Sequence, residues 1–387
     1  SASHAAWLTF MLPRLSFARD LLTDDGVIFI SIDDNEQANL KRLCDEVFGE
    51  ECFVAQFIWE KRLNRENRKE TSVRHDYILC YSKNYYDDEV KRVNQLPMSG
   101  KALASYSNPD NDPRGLWKSD PAHAQAGHGV ESQFYTVVAP NGKKHELPSG
   151  RCWIYNEDTM KEAIKDNRIW FGQDGNGVPR VKTYLNAKER GLTPETMIFA
   201  KEGSTNEKAK NDLKELFDGI AVFETPKPVE LIRHLLKMAF KEGLAVDFFG
   251  GSSSTAHAVM EMSIDGSNMH YILVQLPEPC KPGSEAFKAG YKTIDEVGME
   301  RIKRAAKKIH DENPLFAGDL GFKHYTLEEP KEDALLQMEQ FDPSNDLMTT
   351  LEVKDFGLET VLRTWLVADG YGLTEDAEEV MLGDYKA

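Results

Sequence analysis

The sequence lacks several features that would place it in a class at once. Its five cysteines are an odd number, widely spaced, with no Cys-x-x-Cys pair. Neither a disulfide framework nor a structural zinc site is therefore predicted. No apolar run approaches the roughly 18 to 20 residues that a membrane-spanning helix needs, and the first residues contain no segment of the signal-peptide kind. We expect a globular protein of the reducing cytoplasm.

The sequence also lacks an excess of positive charge, since 47 basic residues stand against 64 acidic ones. The formal net charge over 387 residues is −17, which looks wrong for a protein that binds nucleic acid. The acidity is concentrated near the end of the chain, because 16 acidic and 4 basic residues lie from Tyr325 onward, against 48 acidic and 43 basic residues before it. The earlier part can therefore carry local basic surfaces, and the overall charge does not exclude nucleic acid as a partner.

Hydrophobic periodicity predicts an α/β protein in two separated parts. Short apolar runs predict the strands Val27–Ile32, Phe53–Trp59, Tyr77–Ser82, Leu244–Phe248 and Tyr271–Leu276. Helical spacing predicts helices over 4–23 with a kink or first turn at Pro13, before Gly49, over 228–241, from about Thr255, and from Thr293 to about Ile309. Val27–Ile32 has the continuous apolar character of a parallel strand buried on both faces. Asp33 or Asp34 is expected to cap the second helix, and Thr293 with Glu296 to form a capping box.

Between these parts, from about Tyr85 to Gly203, the pattern is irregular and rich in turn signals, which predicts an inserted domain of short strands and loops. Residues 326–387 are acidic but retain apolar positions and are expected to fold; these positions are Leu351, Phe356, Leu362, Trp365 and Leu366. The predicted boundaries are 1–84 and 216–325 for the two halves of the α/β core, 85–215 for the insertion, and 326–387 for a small acidic C-terminal domain.

The strongest chemical signal is the segment Asp247-Phe-Phe-Gly-Gly-Ser-Ser-Ser-Thr-Ala-His257. A strand that ends in small residues and then enters a helix lets backbone amides approach a ligand and directs a helix N-terminus at an anionic group. Such a turn can equally be structural. The segment has neither the GxGxxG spacing nor the Walker lysine, so a dinucleotide or a nucleoside triphosphate fits poorly.

Several motifs in a fixed order make the interpretation more specific. The segment above resembles the DFFAGSGTTAH form of the FxGxG methyltransferase motif, and Phe223-Glu-Thr-Pro-Lys-Pro-Val-Glu-Leu-Ile232 resembles the TPKP…L motif that precedes it. Further similar segments are Trp7–Leu15, Asp25–Glu36, Cys44–Gly49, Arg74–Asn84, Gly150–Trp153, Ile169–Arg180 and Trp365–Tyr371. Together they resemble the modification (Mod) subunits of Type III restriction–modification systems, which are β-class adenine-specific DNA methyltransferases.

The resemblance implies a Rossmann-like S-adenosylmethionine-dependent methyltransferase sheet with an inserted target recognition domain. The implied product is N6-methyladenine in DNA, and the implied partners are double-stranded DNA, a second Mod subunit and the Res helicase–nuclease subunit. The implied cofactor-binding residues are Asp247, Phe248, Phe249, Gly250, Gly251, Ser252, Ser253, Thr225, Lys227, Pro228 and Gln275, where Gln275 replaces an acid that binds the ribose. The implied DNA-binding residues are Arg62, Arg65, Arg68, Lys69 and Arg74, with Tyr77 beside the flipped base.

Two departures from the family stand out. The catalytic D-P-P-Y or N-P-P-Y tetrapeptide is absent, since the chain contains no Pro-Pro dipeptide, so we expect no catalytic residue in this chain. In the family that motif ends a strand between Leu244–Phe248 and Val27–Ile32, and we expect the chain to be a fragment. Ser253 replaces the second glycine, which costs roughly 1–2 kcal/mol if the backbone there is left-handed. A non-catalytic module for DNA recognition or assembly is the alternative.

Other notable side chains have simpler interpretations. His123 and His128 are interpreted as loop histidines rather than a metal pair, and Trp59, Trp170 and Phe171 as core residues. The basic helix residues Arg301, Lys303, Arg304, Lys307 and Lys308 are interpreted first as a solvated face and second as a phosphate contact.

Overall fold

The computed structural model describes residues 2–66, 70–85, 91–187, 191–240, 242–327 and 357–372, together with residues 375, 380–382 and 385–386. The chain divides into two compact units, Ser1–Gly318 and Asp319–Ala387. Within the described residues, no helix is both long and apolar enough to cross a membrane.

The fold is α/β, as predicted. The helices are α1 (Ala2–Leu21), α2 (Gln37–Phe48), α3 (Gly100–Leu103), α4 (Glu157–Lys165), α5 (Ala200–Gly203), α6 (Asn206–Leu216), α7 (Val229–Ala239), α8 (Ser254–Ile264), α9 (Glu285–Lys288), α10 (Ile294–Glu312) and α11 (Leu358–Ala368). The strands are β1 (Val27–Ile32), β2 (Phe53–Glu60), β3 (His75–Ser82), β4 (Trp117–Pro121), β5 (His123–Gln125), β6 (Val137–Val138), β7 (Lys144–His145), β8 (Arg151–Trp153), β9 (Ile169–Trp170), β10 (Arg180–Tyr184), β11 (Met197–Ile198), β12 (Glu242–Asp247), β13 (Asn268–Leu273), β14 (Met381–Leu382) and β15 (Tyr385–Lys386).

The first sheet has the strand order β1-β3-β2-β11. β3 is antiparallel to both β1 and β2, so β1 and β2 run in the same direction. One face packs against α1 and α2 through a cluster that includes Leu15, Leu40 and Tyr81, and the other packs against α7 through Phe57, Trp59 and Leu231. The two-sided burial explains why these strands have few polar residues.

The second sheet consists of the parallel pair β12 and β13, which α8 connects. Ala245 and Tyr271 pack toward α8 with Val259 and Met262. The opposite face is open, and Leu244 on β12 is 56% exposed. Within the described residues, the outer edges of β1 and β12 pair with no other strand. The α/β core is therefore two sheets with unpaired edges.

The segment between the two sheets contains most of the short strands. β4, β10 and β9 form a three-stranded sheet, and β5 pairs with β8 and β6 with β7. Its core surrounds Trp153, Met160 and Phe171. A second cluster joins the buried Lys182 to Asp110 and Asp112, with the Tyr184 hydroxyl donating to Asp112 at 2.7 Å.

Several local predictions are wrong. β1 is an antiparallel, half-buried edge strand rather than a parallel one, because its only partner within the described residues is β3. Asp33 accepts from the Asn35 backbone and does not cap α2, which begins after Glu36. Thr293 precedes α10, but its side chain makes no capping bond, and Glu296 accepts from the Lys292 N–H instead. The helix α1 continues through Pro13, which therefore does not mark its first turn.

Trp59 and Phe171 are buried, which confirms them as core residues. In the second unit, α11 contains Leu362, which is 40% exposed. Leu351 and Phe356, two of the apolar positions predicted for this domain, lie outside the described residues.

Candidate functional site

The small-residue bend, residues 248–253, is shaped first by Asp247 at the end of β12. One carboxylate oxygen of Asp247 accepts from the Phe249 N–H at 3.0 Å, and the other accepts from the Thr255 hydroxyl at 2.6 Å. The same side chain thus ties the end of the strand to the first turn of α8. This arrangement turns the chain sharply at the sheet edge.

The backbone of the bend contains two left-handed residues. Gly251 has φ of 51°, and Ser253 has φ of 59° and ψ of 36°. The Ser253 N–H donates to the Gly250 carbonyl at 2.7 Å, and the Gly251 N–H donates to Oε1 of Gln275 at 2.7 Å. The acceptor of the Gly251 N–H is therefore a side-chain oxygen rather than a backbone carbonyl.

The bend is open on one side and covered on the other. Phe249 is 52% exposed, and its ring centroid lies 6.3 Å from that of Phe10 on α1. A side chain at Gly251 would lie 3.7 Å from the Phe223 ring. Ser252 and Ser253 are buried. The exposed face of the bend thus lies between α1 and the segment that begins at Phe223.

Arg301 covers the buried side of the bend. Its side chain is 3% exposed, and Nη1 donates to the Ser252 carbonyl at 3.3 Å and to the hydroxyls of Ser252 and Ser254 at 2.9 and 2.6 Å. Burial lowers the pKa of Arg301 to about 10. The solvated-face interpretation is therefore wrong for Arg301.

The other basic residues of α10 with ion pairs lie away from the bend. Arg304 pairs with Glu300 and with Asp218, while Lys307 pairs with Asp311 on the same helix. Lys307 fits the solvated-face interpretation, since its partner lies one turn away on the same helix. Arg304 also donates to the Leu216 carbonyl at 3.0 Å and therefore binds a segment outside α10.

The segment that precedes α7, residues 223–228, contacts the first sheet as well as the bend. Thr225 is exposed, and Pro228 is buried at the start of α7. Nζ of Lys227 lies 3.9 Å from Oδ2 of Asp76 and 5.4 Å from the centroid of the Trp59 ring. Burial lowers the pKa of Lys227, and the charge of Asp76 opposes this effect. Lys227 therefore joins the segment that precedes α7 to the first sheet.

Asp76 is a residue of this region that the sequence analysis does not single out. It is buried on β3 and also bonds Nζ of Lys61 at 2.5 Å, so one carboxylate lies between two lysines. Its only sequence signal was an acidic residue at the start of an apolar strand.

Of the predicted DNA-side residues, Arg62, Arg65 and Arg74 lie on the β2–β3 connection, and Tyr77 lies on β3. Arg62 and Arg65 are exposed, and Nη1 of Arg62 is 3.7 Å from a carboxylate oxygen of Glu66. The guanidinium of Arg74 bonds Glu60 and donates to the Arg62 carbonyl at 3.1 Å. A hydrogen bond to Asp34 raises the pKa of Tyr77. Arg68 and Lys69 lie outside the described residues.

Comparison with known proteins places the chain in a family. A family model described as DNA methylase (N6_N4_Mtase) matches residues 1–281, and one described as the Type III R-M EcoP15I C-terminal domain matches residues 356–387. Since the first match covers well over half of the chain, the chain belongs to the DNA methylase family. This membership and the α/β architecture confirm the predicted fold class.

Within that family the chain is similar to Type III modification subunits. It is 36% identical over its whole length to the StyLTI Mod subunit of Salmonella typhimurium and 34% identical over its whole length to the EcoP15I Mod subunit of Escherichia coli. The chain spans 62% and 63% of the lengths of these relatives. The solved structure of TTHA0409 from Thermus thermophilus, complexed with S-adenosyl-L-methionine, covers 81% of each chain at 14% identity, but its TM-score of 0.35 supports no comparison of geometry.

Proposed function

We propose that this chain is the larger part of a Type III modification subunit that methylates N6 of adenine in DNA with S-adenosylmethionine. The bend at residues 248–253 carries the proposal, because it places the exposed Phe249 and the half-buried Gly251 between a strand end and the start of an eleven-residue helix. The family match and the two Mod relatives support this activity over other methyl transfers.

The residues at the bend fit the cofactor. Gly251 presents an N–H whose partner is a side-chain oxygen, and Phe249 offers an exposed apolar ring. The start of α8 favours an anionic group such as the carboxylate of a methionine moiety. When bound, S-adenosylmethionine supplies an electrophilic methyl group. The proposed cofactor-binding set remains Asp247 to Ser253 with Thr225, Lys227, Pro228 and Gln275.

The chain's own contribution is positioning rather than proton transfer. We propose that five basic residues contact DNA phosphates: Arg62, Arg65, Arg68, Lys69 and Arg74. Tyr77 is proposed to border an adenine that has left the base stack. Residues 85–215 are proposed to read the DNA sequence, between the core halves 1–84 and 216–325.

We also propose that a D-P-P-Y strand, which this sequence does not contain, pairs between β1 and β12. The unpaired edges of both strands and the exposed Leu244 and Val246 support this proposal, since unpaired edges and apolar faces are rarely left open in proteins. The proposed assembly is a Mod homodimer with a Res subunit on double-stranded DNA in the cytoplasm, with 326–387 as its small acidic domain.

Two measurements test the activity. Isothermal titration calorimetry with S-adenosylmethionine should give one site per chain. Transfer of a labelled methyl group to duplex DNA should then occur only when a polypeptide carrying the D-P-P-Y strand is added. Absence of cofactor binding would favour the alternative that this chain is a non-catalytic module, an alternative supported by the absence of a Pro-Pro dipeptide.

A further inference from the structure

Helix α10 meets the bend through two residues on one face, Gly298 and Arg301. This face is otherwise apolar: Val297, Ile302 and Ala305 are buried beside them. A charged residue in such a stripe is costly to desolvate unless it has hydrogen-bond acceptors. Those acceptors are all in the bend or at the start of α8.

Arg301 binds the residues on both sides of Ser253. Nη1 donates to the Ser252 carbonyl, to the Ser252 hydroxyl and to the Ser254 hydroxyl, at 3.3, 2.9 and 2.6 Å. The bonds span the left-handed residue, whose conformation is unfavourable for serine. Because the Arg301 guanidinium binds the residues on both sides of Ser253, it restrains Ser253 in a backbone conformation that is unfavourable for serine.

Gly298 makes the close approach possible. A Cβ at this position would lie 2.6 Å from the Ser253 hydroxyl oxygen and 3.2 Å from the Gly251 carbonyl oxygen. The Ser253 side chain thus points toward α10, on the covered side of the bend. Glycine within a helix is unfavourable relative to alanine. The benefit of glycine at this position is therefore the space that its missing side chain leaves for Ser253.

We propose that the Gly298–Arg301 face of α10 positions the bend for its ligand, with Arg301 holding Ser252 and Ser254 and Gly298 accommodating Ser253. The proposal rests on the proposed function, because the ligand is S-adenosylmethionine. Arg301 and Gly298 are positioning residues: neither lies on the exposed face of the bend, and both act through the backbone of residues 251–254.

The first test compares variants by calorimetry with S-adenosylmethionine and by thermal unfolding. Gly298→Ala is expected to weaken binding by up to about tenfold, because the new Cβ must turn the Ser253 hydroxyl aside and shift the Gly251 carbonyl, which lies only 3.2 Å away. The same change favours the helix itself, so affinity and thermal stability should not fall together. In the double variant Ser253→Gly with Gly298→Ala, the 2.6 Å contact is removed, and binding should recover.

The second test removes the acceptors one at a time. Arg301→Met, Ser252→Ala and Ser254→Ala are each expected to weaken binding, and combining Arg301→Met with Ser254→Ala should weaken it less than the product of the single effects. Hydrogen exchange should report faster exchange of the amides of residues 249–255 in each variant. Ser254→Ala removes one hydroxyl only and keeps the test usable if Arg301→Met fails to fold.

Two controls match these changes. Gly100→Ala adds a Cβ that meets nothing within 4 Å, and Arg304→Met removes a guanidinium that pairs with Glu300 and Asp218 away from the bend. Both should bind as the wild type does. If the wild type binds and the Gly298 and Arg301 variants bind equally well, the positioning proposal is overturned. If the wild type itself does not bind, the proposed function fails instead.

Discussion

Ser253 departs both from the family pattern, which has a glycine at this position, and from the residue type that its backbone conformation favours. Its backbone is left-handed, with φ of 59°, and a side chain in that region costs roughly 1–2 kcal/mol. The hydroxyl oxygen faces Gly298 rather than the exposed side of the bend. The substitution therefore strains the backbone without placing its side chain where a ligand would lie.

Ser253→Gly is accordingly expected to raise the free energy of unfolding by about 1 kcal/mol. It should also tighten S-adenosylmethionine binding by up to roughly tenfold. Urea denaturation and calorimetry measure the two effects. Ser263→Gly is the matched control, because Ser263 lies inside α8, where glycine should cost about 0.5 kcal/mol. A loss of stability at both positions would contradict the account.

Lys182 and Asp112 form the most buried ion pair that the structure describes, with both side chains fully covered and the charged atoms 3.1 Å apart. Hydrogen bonds from Arg114 hold the pKa of Asp112 below its usual range. A carboxylate with a lowered pKa stabilises the fold above its unfolded pKa, near 3.9, and that contribution is lost as the pH falls further. The segment 85–215 should thus be sensitive to acid.

Lys182→Met should lower the free energy of unfolding by about 3 kcal/mol, because it removes the buried cation that Asp110 and Asp112 share and leaves Asp112 with Arg114 alone. Asp112→Asn should flatten the loss of stability below about pH 4, where the unfolded carboxyl, with its ordinary pKa of roughly 3.9, takes up a proton. Urea denaturation at several pH values measures both. Lys118→Met, which removes a partly exposed pair with Asp120, is the control and should leave the midpoint unchanged. Unaltered acid sensitivity in Asp112→Asn would refute the assignment.

At the scale of elements, the β2–β3 connection contains arginines in two different environments. Arg62 and Arg65 are exposed, whereas the guanidinium of Arg74 bonds Glu60 and the Arg62 carbonyl. Exposed arginines that contact phosphates release counterions, so affinity for DNA then depends on salt. Arg74, whose guanidinium also connects β2 to the β2–β3 connection, should influence the stability of the protein as well as its affinity for DNA.

Replacing Arg62 and Arg65 together with alanine should reduce the slope of log K against log salt by about 2, with little change in thermal stability. Arg74→Ala should instead lower thermal stability along with affinity. Fluorescence anisotropy on duplex DNA from low to moderate salt measures the slope. If the double variant keeps the wild-type slope, the connection does not contact phosphates.

The elements also show what periodicity can and cannot predict. The predicted strands and helices of the core are present with small shifts of their ends, because apolar spacing encodes which side is buried. The direction of β1 was wrong, since an apolar run carries no information about its partner strand. Arg301 was misassigned because its charge was weighed before its place in the buried stripe with Val297 and Ala305. Asp76 was missed because its lysine partners lie 15 and 151 positions away in the chain.

At the scale of the whole molecule, the core is two sheets with unpaired edges at β1 and β12, within the described residues. Leu244 is 56% exposed and Leu231 is 1% exposed. Leu231→Ala should cost about 2–5 kcal/mol, whereas Leu244→Ala should cost less than about 0.5 kcal/mol. When the D-P-P-Y segment is added, the loss of stability caused by Leu244→Ala should increase, while the loss caused by Leu231→Ala should stay the same. Equal costs without that segment would show that β12 is already covered.

The most direct measurement of the central claim is the position at which the cofactor binds. Ultraviolet crosslinking of methyl-labelled S-adenosylmethionine to the chain, followed by peptide mapping, reports that position. The account predicts label on peptides that contain residues 223–228 or 247–253, and its loss when excess unlabelled cofactor competes. Label confined to other peptides, or none above the level of a denatured control, would contradict it.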